Sequence, residues 1–275
     1  MPKNRTVDLH VHSTYSDGRL APGDLAALAW KNNVSVLAIT DHDTMSGSAE
    51  KAAACEKYGI ECVQGVEISC QLNGSEAHIL SLFADPDSPE LARIDDLTVS
   101  RKRRMEQMLE KLARLGIRLT MDDLAVEADG VYGRPHLARA LVAKGAVKSV
   151  NEAFKRYLYD SGPVHIEKTR FTVEEGIDLA KRLGGVSILA HPGVSGWLGN
   201  LDAFVRLGLD GVEVYHPKHR GETVATLLRY CKEKSLLASG GSDFHSPGDG
   251  PDVGSVKVPV DIIEPLRRLA AERKR

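Results

Sequence analysis

The stretch Val7-Asp8-Leu9-His10-Val11-His12 decides how the rest of the chain is read. Apolar and polar residues alternate through it, the period of a half-buried strand. Alternate side chains of a strand share a side, so His10 and His12 point one way and Leu9 and Val11 the other. Two imidazoles so placed at a strand's end can hold one cation. Next comes Ser16-Asp17-Gly18, a turn that offers a carboxylate, and then a helix expected over 22–32 with Pro22 at its first position.

The same strand-then-helix rhythm recurs outward from there. Short β-branched runs predict strands over 7–11, 34–40, 60–66, 78–83, 186–190, 211–215 and 236–239. Helices are expected over 22–32, 47–58, 172–183, 218–234 and near 262–273. Such alternation indicates an α/β fold built on a mainly parallel sheet, closed or nearly closed as a barrel. Residues 89–162 break the rhythm, with helical patterns over 90–115, 121–127, 135–144 and 151–157 and no strand. They read as an inserted helical lid or substrate domain between barrel segments 1–88 and 163–275. The run Arg101-Lys102-Arg103-Arg104 reads first as a solvated helix face, with Arg101 and Arg104 reaching the pocket only if the long helix covers it.

Bulk properties bound the function without naming it. The 275 residues carry 42% hydrophobic and 27% charged side chains, ordinary values for a soluble globular protein. No apolar run reaches the ~18 residues of a membrane span, and the first residues lack an apolar signal core, so the expectation is a cytoplasmic protein. Cys55, Cys62, Cys70 and Cys231 form no CxxC pair and read as reduced thiols. A net charge of −2 argues against broad electrostatic binding of nucleic acid.

The chemistry-bearing residues sit where the strands end. Beyond His10, His12 and Asp17 these are Asp41-His42-Asp43, Glu67, His191-Pro192-Gly193 and Asp243-Phe244-His245. This is the face on which β/α barrels build active sites. His78 is the exception, since it opens its strand. Nine such side chains, six of them imidazoles, would be costly to gather without cations to neutralise the acids. Asp8 and Asp41 are expected either to orient neighbouring imidazoles or to set the geometry of the turns they stand in.

In combination, DLHVHSTYSDG, TDHDT, GVEIS, the lone His78, HPG and GSDFH resemble the PHP (polymerase and histidinol phosphatase) family over residues 6–83 and about 164–258. The resemblance implies a distorted (β/α)7 barrel with a centre of two or three divalent metal ions. It implies that His10, His12, Glu67 and Asp243 bind one ion and that Glu67, His78 and His191 bind a second, with Glu67 as bridge. Asp17, His42 and His245 would bind a third. His10, His12, Glu67, His191 and Asp243 form the expected catalytic core. Many family members have His where this chain has Asp17, a harder ligand that favours Mn2+, Fe2+ or Mg2+ over Zn2+ there, with Mn2+ foremost.

Close-set cations acidify water and clamp the oxygens of a phosphate ester, so the expected reaction is phosphomonoester hydrolysis by metal-activated hydroxide. Arg134 in Gly133-Arg134-Pro135-His136 sits beside a helix start, a good place to receive a phosphate, with His136 in the same segment. Lys168 lies where the chain re-enters the barrel, and His216 ends a strand at the rim. These four are the expected substrate contacts. The insert and the GRPH segment resemble the branch of the family that acts on nucleoside 3′,5′-bisphosphates, related to 5′-to-3′ exonucleases of short RNA. The resemblance implies a substrate such as 3′-phosphoadenosine 5′-phosphate, cleaved to AMP. A histidinol-phosphate phosphatase and a non-catalytic metal-binding module are the alternatives. A metal-dependent amidohydrolase also carries a first-strand HxH, but it typically bridges its metals with a modified lysine where Glu67 stands here. No membrane association and no obligate protein partner are expected.

Overall fold

The computed structural model describes residues 5–126, 130–248 and 250–274. The elements in order are β1 (Thr6–Val11), α1 (Pro22–Lys31), β2 (Val34–Ile39), α2 (Ser48–Lys57), β3 (Glu61–Leu72), β4 (Ser75–Leu82), α3 (Leu91–Arg114), α4 (Arg134–Ala143), α5 (Val150–Ala153), β5 (Phe171–Thr172), α6 (Val173–Arg182), β6 (Val186–Leu189), α7 (Leu201–Arg206), β7 (Gly211–Tyr215), α8 (Gly221–Lys234), β8 (Leu237–Gly240) and α9 (Ile263–Arg273). One sheet runs β1-β2-β3-β4-β6-β7-β8, with β5 paired to β3. Its pairs are parallel except for β4, which is antiparallel to both β3 and β6.

That antiparallel strand is the first departure from expectation. The chain does not leave the sheet at residue 66; β3 continues to Leu72 and returns directly as β4. The reversal is made by Asn73 (φ 52°) and Gly74 (φ 80°), both left-handed, as a tight hairpin turn requires. His78 therefore lies inside β4, opposite Ser69, rather than at a strand start. The antiparallel direction explains how it comes to face the same end as the C-termini of β1 and β2.

Hydrogen bonding does not close the expected barrel. Among the described residues, β1 and β8 form no ladder. Instead, past the end of β8, Asp243 donates its N–H to His10 O within β1 (2.8 Å), and His12, just past β1, donates to Phe244 O (2.9 Å). These two bonds join the edges of the sheet where the rim residues sit. Helices cover the sheet through apolar clusters, one built on Val7, Leu9, Val36, Leu80 and Ile188. Another brings Val66, Ile68 and Ile79 against Ile177 and Ala180 of α6. A capping box starts α6: Thr172 accepts from Glu175 N (3.2 Å), and Glu175 accepts from Thr172 N (2.7 Å).

No strand occurs between 89 and 162 among the described residues. The long helix α3 presents Met105, Met108 and Leu112 at helical spacing to Leu137 and Leu141 of α4, with Leu124 and Leu158, as a separate apolar cluster. The same helix also sends Ile94 into the sheet-side core, so the helical block is fastened to the sheet as well as to itself. The helix expected over 121–127 shortens to a 3-10 turn, Met121–Leu124, and Glu127 lies outside the described residues. The helix expected over 151–157 divides into α5 and a π turn, Phe154–Leu158. The helix expected from 218 begins only at Gly221. Neither β5 nor α7 is anticipated, each being too short for periodicity to show.

Candidate metal centre

Glu67 is the middle of the cluster. It sits within β3 with its side chain 1% exposed, and five imidazoles surround it. His10 Nε2 lies 3.3 Å, His12 Nε2 3.2 Å and His42 Nδ1 3.1 Å from Oε2. His78 Nδ1 and His191 Nε2 lie 2.8 and 3.2 Å from Oε1. Asp243 Oδ1 is 3.5 Å from His10 Nε2 and 3.4 Å from His12 Nε2. Asp17 Oδ1 is 3.4 Å from His245 Nε2, and Asp17 Oδ2 is 4.0 Å from His42 Nε2. All nine rim residues therefore meet in one place. Three overlapping groups have ligand atoms close enough to share an ion: His10, His12 and Glu67; His42, Glu67 and His78; and His12, Asp17, His42 and His245. His12 and His42 each belong to two groups, a sharing that the linear motifs do not show.

The cluster lacks something that a cation would supply. His10 Nε2, His12 Nε2, His42 Nδ1, His78 Nδ1 and Glu67 Oε2 are all buried and none has a hydrogen-bond partner of good geometry. Buried polar atoms are seldom left so. Their separations are near the ~3.0–3.4 Å between neighbouring ligand atoms around an ion at ~2.1 Å. Imidazole nitrogen and carboxylate oxygen together suit a divalent ion of the manganese, iron or zinc type. On this test the residues fit such a centre.

Electrostatics agree. Burial would raise the Glu67 carboxyl, but His42, His78 and His10 hold it well below the usual carboxylate range. Asp17 and Asp243 are likewise depressed against the effect of burial, Asp17 by His245 and His42, and Asp243 by His10 and His12. Burial pushes His12 down, yet Asp243 and Glu67 outweigh it and lift the imidazole to about 10. For His42 burial wins, and it falls to about 3. The acids stay charged and demand positive charge, which either protonated imidazoles or a cation can provide.

Backbone strain marks the rim. His191 (φ 33°), Asp243 (φ 52°) and Asp43 (φ 49°) are left-handed non-glycine residues at or just after strand ends. Gly241 packs against His10, where a Cβ would come 2.5 Å from the His10 nitrogen and Cβ.

For Asp8 and Asp41 the contacts are those of turn geometry, one of the two roles expected. Asp8 accepts from the backbone N–H of Ser242 and Gly254, both at 2.8 Å. Asp41 accepts from Ser13 N (2.8 Å) and from the hydroxyls of Ser13 and Ser16 (both 2.6 Å), and pairs with buried Lys51 Nζ at 2.7 Å. Neither carboxylate orients an imidazole. Both fix the loops that carry the rim residues. Direct imidazole support comes from Glu213, fully buried in β7, 3.0 Å from His10 Nδ1, and from Ser195 Oγ, 2.8 Å from His191 Nδ1. Glu213 had a signal in the sequence, an acid in the middle of the apolar run Gly211–Tyr215.

Beside the cluster lies a cavity of about 180 Å³ whose walls are built of two kinds of residue, Asp17, His42, Glu76 and His78 from the segments that carry the metal-ligand residues and Arg101, Arg104, Arg134, Phe154 and Lys168 from the helical block and the segment after it. The basic run of α3 is thus divided: Lys102 and Arg103 are exposed, while Arg101 and Arg104 turn inward, against the solvated-face expectation. Arg101 Nε donates to Asp43 Oδ2 (2.6 Å) and Nη2 to Ser69 Oγ (2.9 Å). Arg134 donates to Leu158 O (3.1 Å) and Asp160 (2.8 Å). Lys168 bridges Ser69 Oγ (2.7 Å) and Glu76 Oε1 (3.1 Å). Of the other expected substrate contacts, His136 is 2% exposed, and its Nδ1 accepts from Gly133 N (3.1 Å), capping α4 outside this cavity. His216 is buried rather than on the surface, with Nε2 3.4 Å from Asp243 Oδ2 and Nδ1 accepting from Lys218 N.

Among the described residues no helix is long and apolar enough to cross a membrane. A 5′-3′ exoribonuclease of Haemophilus influenzae is 36% identical over 268 residues, 95% of this chain and 98% of its own length. A 3′,5′-nucleoside bisphosphate phosphatase of Chromobacterium violaceum is 34% identical, covering 95% of each chain. The crystal structure of a Bifidobacterium adolescentis protein, provisionally assigned as a metal-dependent phosphoesterase, superimposes with a TM-score of 0.88 at 30% identity, over 98% of this chain and 97% of that one. The profile of the PHP domain matches residues 8–159, so with the full-length relatives the chain belongs to the PHP domain family of phosphoesterases.

Proposed function

We propose that this chain removes the 3′-phosphate of nucleoside 3′,5′-bisphosphates, as in the conversion of 3′-phosphoadenosine 5′-phosphate to AMP, and degrades short 5′-phosphorylated RNA by the same displacement at phosphorus. The observation that carries the reading is the junction of two walls: partnerless buried ligand atoms around Glu67, and guanidinium and ammonium groups across an adjoining cavity. A substrate with two phosphates fits that division, one phosphate reacting and the other held. The functions borne by the two full-length relatives support the nucleotide assignment.

In this reading His10, His12, Glu67 and Asp243 hold one divalent ion, Glu67, His78 and His191 a second, and Asp17, His42 and His245, with His12 close by, a third. Manganese is the preferred metal. Such ions, when bound, acidify water and neutralise the charge developing on the phosphoryl oxygens. The chain's own residues do the rest. Glu67 and Asp243 remain ionised under burial and keep the imidazoles turned inward. Arg104, Arg134 and Lys168 receive the second phosphate through charge-assisted hydrogen bonds. Phe154, on the same wall, offers a face for a base. The sheet is read as a distorted (β/α)7 barrel formed by 1–88 and 163–275, with 89–162 as its lid. Its support is the pair of hydrogen bonds joining the two sheet edges at the rim.

The test is phosphate release by purified, manganese-loaded protein. Release from 3′-phosphoadenosine 5′-phosphate, and its loss in Glu67→Ala, is expected. Turnover of histidinol phosphate without turnover of nucleoside bisphosphates would remove the nucleotide assignment.

A further inference from the structure

We propose that Glu213 is a positioning residue that sets two of the cluster's histidines at once, His10 through its ring and His191 through its backbone. The inference rests on the metal-centre reading above and adds a residue to it. Glu213 is fully buried in β7, so its carboxylate has no water to satisfy it and must find its partners within the protein. Oε1 lies 3.0 Å from His10 Nδ1, and Oε2 accepts the His191 backbone N–H at 2.7 Å. A carboxylate only accepts, so the first contact requires the His10 proton to be on Nδ1. The Nε2 lone pair then faces Glu67 and Asp243, 3.3 and 3.5 Å away, where a ligand must point. The second contact anchors a residue whose φ of 33° is unfavourable for any side chain and persists only where neighbours impose it. One side chain on a single strand therefore couples the ends of β1 and β6. Because β7 lies next to β6 and not next to β1, Glu213 reaches across the sheet to do so.

Glutamine at this position separates positioning from bulk. Its single oxygen can accept from either His10 Nδ1 or His191 N, and its NH2 then opposes the other donor. Kept on His191, the amide forces His10 to carry its proton on Nε2, where it cannot ligate. Three measurements test this: manganese titration calorimetry of metal-stripped wild type and Glu213→Gln, thermal melting of both, and the ring 15N shifts of His10 in histidine-labelled, zinc-loaded wild type. The expected result is a loss of manganese affinity of about 10- to 100-fold in Glu213→Gln, typical of removing a group that orients a ligand. His10 Nδ1 in the wild type should show a protonated, hydrogen-bonded signature and Nε2 a metal-bound one. Equal manganese affinity in the two proteins, or a wild-type His10 protonated on Nε2, overturns the proposal. If Glu213→Gln does not fold, the wild-type shifts decide alone. Failure of the wild type to bind manganese or zinc at all would instead overturn the metal-centre reading.

Discussion

His10, His12 and Glu67 are among the most buried polar residues of the protein, and the atoms they turn toward one another have no hydrogen-bond partners. Arg101, Arg104, Arg134 and Lys168, across the adjoining cavity, each already hold a protein acceptor. The strand-borne wall is electrostatically incomplete as it stands, while the helical wall is complete and lends only its spare donors. Side chains fixed by strands can be held partnerless because the sheet, not their own hydrogen bonds, sets their positions. Side chains carried on helices and loops need local acceptors to stay in place. The two walls should therefore fail differently. Glu67→Ala removes the residue about which the strand wall is arranged, and turnover should fall at least about 1,000-fold, with manganese content falling alongside it. Metal analysis next to steady-state kinetics checks this, and full activity in that variant would end the distinction.

The helical wall has one place where its self-sufficiency can be broken. Asp43, 1% exposed, holds the Arg101 guanidinium, and the pair ties α3 to the loop that follows β2. Burial alone would raise the Asp43 carboxyl, but Arg101 and Lys168 hold it at about 2. Asp43→Ala leaves the guanidinium buried without its counter-charge, which should cost about 3–5 kcal/mol of stability. Chemical denaturation measures it. If the cost is below about 1 kcal/mol, this pair is not what fastens α3 to the rim.

How much of this could be read beforehand follows the same division. The strand wall was legible because its signal is local: a period of two places His10 beside His12, and apolar runs ending in Asp, His or Glu give the remaining positions. His78 stands at a strand start in the sequence reading because that reading takes no account of the Asn73-Gly74 turn, which makes β4 antiparallel. Glu213 is only half legible, because an acid within an apolar strand identifies itself as paired without saying with what, and its partners lie 203 and 22 residues away in sequence. The helical wall was less legible. Arg101 and Arg104 stand three apart and so share a helix face, but nothing in the run tells whether that face or the one bearing Lys102 and Arg103 turns inward. Asp8 and Asp41 leave two readings open in the sequence because each adjoins both an imidazole and a turn, and folding decides for the turn by setting them on backbone N–H groups, hydroxyls and Lys51.

A gentler change tests whether the spare donors of the helical wall serve binding alone. Arg134 is one-quarter exposed and shared between Leu158 O and Asp160. Arg134→Ala should raise KM for a nucleoside bisphosphate about 10-fold, the scale of one charge-assisted hydrogen bond at a partly exposed site. Its kcat and manganese content should change little. A fall in kcat with KM unchanged would move Arg134 from the binding wall to the chemistry.

The smallest effect concerns Lys168. Burial first and Arg101 second push its ammonium down from 10.5 to about 8, against the opposing pull of Asp43 and Glu76. If its charge receives the phosphate that does not react, kcat/KM, which reports the free enzyme, should decline as pH rises through about 8. Lys168→Met should lose that limb, and Lys168→Arg should move it to higher pH. Stability must run the other way. Between about 8 and 10.5 the unfolded chain keeps a proton on Lys168 that the folded chain has released, so unfolding takes up protons and stability rises with pH across that window. The rise should be missing in Lys168→Met. Opposite slopes of affinity and stability over one pH range, both abolished by one substitution, would show that the helical wall holds its substrate with a charge it is costly to keep. Parallel slopes would mean that Lys168 is committed to Ser69 and Glu76 and lends nothing to the ligand.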